Sequence, residues 1–97
     1  MRTEEEITAE ITELEAIKPK VRHRSAFGDN HRDAVDAQVT VLKDKMDEGA
    51  IWDRHENAMD DEEFYAENER DSALEAARWL HGETDEKPSA GWEDLLE

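Results

Sequence analysis

"KPKVRHRSAFGDNHRD", residues 18–33, decides how this chain is laid out. Pro19 biases Lys18 away from the helical region, so a helix arriving from the N-terminus ends or kinks there. "SAFGDN" then supplies turn chemistry, and Asp29 or Asn30 is placed to cap a second helix with Asp33 in its first turn. The segment is therefore predicted to connect two helices. Phe27, between Ala26 and Gly28, is predicted to plug the end of the bundle. The charge is unusual: Lys18, Lys20, Arg22, Arg24 and Arg32 face only Asp29 and Asp33, a local +3 in a chain of net charge -16.

Upstream, Thr3 and Glu6 have the spacing of a capping box, and Glu4, Glu5 and Glu6 suit the positive end of a helix dipole. Ile7, Ile11, Leu14 and Ile17 then mark one helical face. Downstream, Ala34, Val35, Gln38, Val41, Leu42, Lys45 and Met46 recur at steps of three and four, and this stripe is predicted to pack antiparallel against the first. Gly49 suits the end of this second helix; the favoured alternative has Asp47 capping a short helix that carries Ile51 and Trp52. Asp60 is read as the cap of the next helix, with Asp61, Glu62 and Glu63 in its first turn. Ala66, Ala73, Ala77 and Leu80 form its stripe beside Phe64, Leu74 and Trp79, and Gly82 stops it. "ETDEKPSA" reads as a linker. Ser89 is placed to cap a last amphipathic turn with Trp92, Leu95 and Leu96 on its apolar edge.

These patterns predict an all-α fold: a small helical bundle of three main helices, with a short extra helix and a C-terminal amphipathic turn. The predicted boundaries are a helical domain over 3–81, a linker over 82–91 and a tail over 92–97. A chain of 97 residues holds one domain at most. Its core is small enough that self-association as a homodimer is one way to complete it.

Composition excludes several chemistries. There is no cysteine, hence no disulfide frame, thiolate nucleophile or Cys-based zinc site. "MRTEEEITAE" lacks the apolar run of a signal peptide, and no stretch approaches the roughly 18 apolar residues of a membrane span, so a cytoplasmic place is expected. The acidic balance disfavours direct binding to nucleic acid or an anionic membrane and favours a basic protein partner.

No catalytic, cofactor or metal site is expected. "HENAM" at 55–59 has Met59 where a zinc protease needs its second histidine. "DKMD" (Asp44, Asp47) and "DDEE" (Asp60, Glu63) resemble the acidic pairs of all-α, Mg²⁺-dependent nucleotide pyrophosphatases. With 28 acids in 97 residues, however, roughly eight pairs arise by chance at any fixed spacing. The remaining candidates are interaction residues. Arg22, Arg24, His31 and Arg32 could hold an anion with the free amides of the second helix. The favoured reading is that the basic segment clasps the protein's own acid, since residues 47–75 hold twelve acids against Arg54 and Arg70, or that it is a plain surface loop. Glu62, Glu63, Glu67 and Glu69 could imitate the charge of DNA, which presents one charge per about 1.7 Å. Trp92, Leu95 and Leu96 could dock on a partner.

"KPKVRHRSAFGDNHRDAVDAQVTVLKDKM", "ALEAARWLHGE" and the closing "PSAGW" together resemble small acidic proteins of phage, prophage and plasmid type, over most of the chain. The resemblance implies an accessory role in a mobile element, with no activity or catalytic residue to carry over. The expected function is a non-enzymatic interaction protein. The alternatives are a DNA-mimic inhibitor of a nucleic-acid-acting host protein and, behind it, a pyrophosphatase-like enzyme.

Overall fold

Thr3 opens the first helix as its sequence predicts: its side chain accepts from the Glu6 amide, and the Glu6 carboxylate accepts from the Thr3 amide. The computed structural model describes all 97 residues, and it is all-helical, with no strand. Helix α1 spans Glu4–Ile17, followed by a 3-10 turn at Lys18–Lys20 where Pro19 falls; α2 spans His31–Asp44, α3 Glu48–Asn57 and α4 Glu67–Leu80, and a 3-10 segment runs over Pro88–Leu95. Asn30 caps α2 by accepting from the Asp33 amide, and Asp47 caps α3 by accepting from Ala50. No helix is long and apolar enough to cross a membrane.

The core sits around α2, which packs most extensively on α4 and secondly on α1. Buried alanines on both partners (Ala34 and Ala37 on α2; Ala73, Ala76 and Ala77 on α4) suit a close approach of the two backbones. Leu14, Val35, Val41, Leu42, Ile51, Phe64 and Leu80 fill the interior. The predicted α2 stripe is too long. Lys45 takes the left-handed conformation at φ 52° and ends the helix, so Met46 is half-buried beyond it and the Lys45 ammonium pairs with Glu4 at 2.9 Å.

The start of α4 differs from the sequence expectation. Asp60 caps nothing. Residues 58–66 form an irregular turn in which Asp61 and Phe64 both adopt φ 73°. Left-handed backbone costs a non-glycine residue roughly 1–2 kcal/mol. Two gains offset it here. Phe64 is wholly buried, worth about 1.5–3 kcal/mol, and both its backbone polar groups are paired: its amide donates to Glu69 at 3.1 Å, and its carbonyl accepts from the His55 ring at 2.7 Å.

Gly82 does stop α4. With φ 81° it forms a Schellman end, its amide bonding the Trp79 carbonyl and that of Glu83 the Arg78 carbonyl. Arg2 adds positive charge at this negative helix end: its amide donates to Leu80, its guanidinium to the Trp79 and Thr84 carbonyls, and it stacks 5.0 Å from the Trp79 ring.

The residues read as a linker and a C-terminal tail are docked on the domain. Pro88 and Trp92 are buried, and the boundary expected between them falls inside one continuous 3-10 segment. Ser89 does not cap it; its amide donates to the buried Glu10 carboxylate at 2.7 Å. The end of the chain pairs with the first connection through Arg22 N–H to Leu95 O and Glu97 N–H to Lys20 O.

Candidate functional site

One side of α2 faces the 60–66 turn and the start of α4 across a groove of about 830 Å³, which Glu15, Lys18 and the Arg24–Asn30 loop also line. The walls are held in register. Asn68 donates to the Asn30 carbonyl at 3.2 Å, and the Thr40 hydroxyl donates to Glu63. Nine carboxylates line the groove (Glu15, Asp29, Asp33, Asp36, Asp60, Asp61, Glu62, Glu63, Glu69) against three cations, Lys18, Arg24 and Lys43. Asp36 pairs with Lys18 at 2.8 Å, Glu15 with Lys43 at 3.9 Å, and Glu63 with Arg54 at 3.7 Å. The other six carboxylates have no cation within 4 Å. Burial raises the Glu69 carboxyl above the ordinary range; the hydrogen bond from the Phe64 amide opposes the rise, and the nearby carboxylates of Asp33, Glu63 and Asp36 add to it.

The four acids considered for mimicry do not form a free row. Glu67 is exposed. Glu62 is exposed and accepts from the Met59 amide. Glu63 is half-buried between Thr40 and Arg54, and Glu69 is turned inward at 9% exposure. Asp60 and Glu63 lie in a turn, so they are not a helical pair of the pyrophosphatase kind, and no group of three or more acids or histidines is placed to share a metal ion.

The basic segment is engaged with the chain itself, mostly through backbone carbonyls. Arg32 donates to Val21 and Pro19, Arg24 donates to Gly28, and the His31 ring donates to Arg22. Its ion pairs reach Asp36 and Glu97 rather than the acids of 47–75. The segment therefore makes no ion pair with the acids of 47–75, and its contacts are local. Trp92 is inward-facing, with its indole N–H on Gln38 and its ring 5.8 Å from His31; Leu95 is half-buried, and Leu96 is 41% exposed.

Phe27 reverses its expectation. It plugs nothing and is 95% exposed at the tip of the 24–30 loop. Sequence reasoning also missed the groove. It counted the acids of 47–75, but the opposing wall comes from α2, where Asp33 was placed only in the helix's first turn and Asp36 was not singled out.

No family model, curated protein or solved structure matches the chain.

Proposed function

We propose that this chain is a non-enzymatic interaction protein that receives a basic protein partner in its acidic groove. The observation that carries the reading is the set of six groove carboxylates without a cation: an incoming Lys- or Arg-rich surface would relieve repulsion already built into the fold, and steering by the net charge of -16 would speed encounter. Mimicry of DNA is less well supported, because duplex phosphates project outward whereas these acids face into a concavity and two of the four named for it are held internally. An accessory role in a mobile element, and a cytoplasmic place, rest on the resemblance and composition described above.

Titration with a lysine oligomer at increasing salt tests the groove. Binding is expected to weaken steeply with salt and to fall further in the triple variant Asp60→Asn, Asp61→Asn, Glu62→Gln. A control triple outside the groove, Glu13→Gln, Glu83→Gln and Glu93→Gln, removes the same charge. Equal loss in the two triples would assign the binding to net charge and overturn the groove.

A further inference from the structure

Phe27 is exposed, and the loop that carries it is not loose. The Ser25 hydroxyl accepts from the Phe27 and Asp29 amides at 3.1 and 3.0 Å. The Ser25 amide donates to Asp29 O, the Gly28 amide to Ser25 O, and the Arg24 guanidinium to Gly28 O. Gly28 supplies the φ of 90° that closes the turn, and Arg24 and Asn30 bridge at its base. The loop is thus held by its own hydrogen bonds, yet its one large apolar side chain is presented to water. Gly28 and Asp29 line the acidic groove, Phe27 adjoins them in the chain, and Tyr65, 48% exposed, lines the groove as well.

We infer that Phe27 is the apolar anchor of the partner interface, and that the partner presents a basic amphipathic segment: an apolar pocket or stripe bordered by Lys or Arg. This rests on the groove reading and extends it. Charge complementarity selects the occupant. A second copy of this chain, a nucleic acid and an anionic membrane would each bring like charge to a groove already in excess of carboxylate. A preformed aromatic knob loses little conformational freedom on docking, and aromatic anchors surrounded by weaker polar contacts dominate binding energy at interfaces.

The experiment compares two synthetic probes of equal positive charge: a Leu/Lys amphipathic helical peptide and a lysine oligomer. The Leu/Lys peptide is expected to bind the full chain at least tenfold more tightly. Phe27→Ala should erase that margin while leaving the lysine oligomer's affinity unchanged, and Phe27→Trp should retain it. Failure of both peptides to bind would overturn the groove and the anchor together. A margin that is absent, or that survives Phe27→Ala, would overturn the anchor alone. Sedimentation of the free chain guards the choice of occupant: a dimer dispersed by Phe27→Ala would make the occupant a second copy and overturn the proposal.

Discussion

The indole N–H of Trp92 donates to the side-chain carbonyl of Gln38 across 2.8 Å, in a buried bond that joins residues 54 positions apart. The Gln38 amide in turn donates to the Ser72 carbonyl on α4 at 3.0 Å. One wholly buried glutamine on α2 thereby ties α4 and the C-terminal segment to the same point of the core.

Trp92→Phe keeps most of the ring and removes the donor. It leaves the Gln38 oxygen buried without a partner, which is expected to cost about 1–3 kcal/mol by chemical denaturation. Gln38→Leu strands the indole N–H at similar cost, while the Ser72 carbonyl, inside α4, keeps its helical bond. The double variant should lose less than the sum of the singles, because the stranded partner is then also gone. Strict additivity would show that the bond does not hold the segment down.

Local signals in the sequence were legible where one side chain closes one hydrogen-bonded ring. The Thr3–Glu6 box, the Asn30 and Asp47 caps, the Pro19 break and the Gly82 stop all lie within a turn of the groups they satisfy. What sequence did not disclose depends on distant partners. Asp60 resembles a helix cap as well as Asp47 does. It was displaced because Phe64 gains more by entering the core through a left-handed turn, a choice that needs His55 from α3 and Glu69 from α4 in place. Trp92 was legible only as part of an apolar edge that could dock on a partner, because its acceptor is a polar residue inside an apolar stripe. The groove was hidden for the same reason: its two walls lie about 30 residues apart in the chain and meet only through α2–α4 packing.

Phe64 and Phe27 separate on stability. Phe64→Ala removes a fully buried ring and is expected to cost about 3–5 kcal/mol. Phe27→Ala should stay within about 0.5 kcal/mol of the parent. A loss at Phe27 comparable to that at Phe64 in thermal or urea unfolding would mean that the ring is inside the bundle in solution.

Glu69 makes stability depend on pH with a definite sign. Its carboxyl is raised in the folded state, so its favourable contribution is complete below the unfolded carboxylate value of about 4.3 and is lost as pH rises through the raised folded value. Glu69→Gln imitates the protonated form and can still accept from the Phe64 amide. The variant is therefore expected to match the parent near pH 4 and to be more stable at pH 7. Urea unfolding at the two pH values measures the difference, and a variant less stable at pH 7 would reverse the sign.

Salt distinguishes the two ways in which residues 18–33 use their positive charge. Lys18 pairs with the half-exposed carboxylate of Asp36, an interaction between opposite charges that water and salt both screen. Lys18→Met is expected to cost about 0–1 kcal/mol, shrinking as salt is raised. Arg32 is different. Its guanidinium bonds the neutral carbonyls of Val21 and Pro19, both at 3.2 Å, and so ties the first turn of α2 to the chain leaving α1. Val21 is wholly buried, and its carbonyl would need another donor if Arg32 were removed. Arg32→Ala is expected to cost about 1–2 kcal/mol, with little change between low and high salt, since a neutral acceptor carries no charge to screen. Arg32→Lys should recover only part of the loss, because one ammonium replaces a planar fork that reaches two carbonyls. A loss at Arg32 that disappears in high salt would mean that its charge, rather than its geometry, supports the fold.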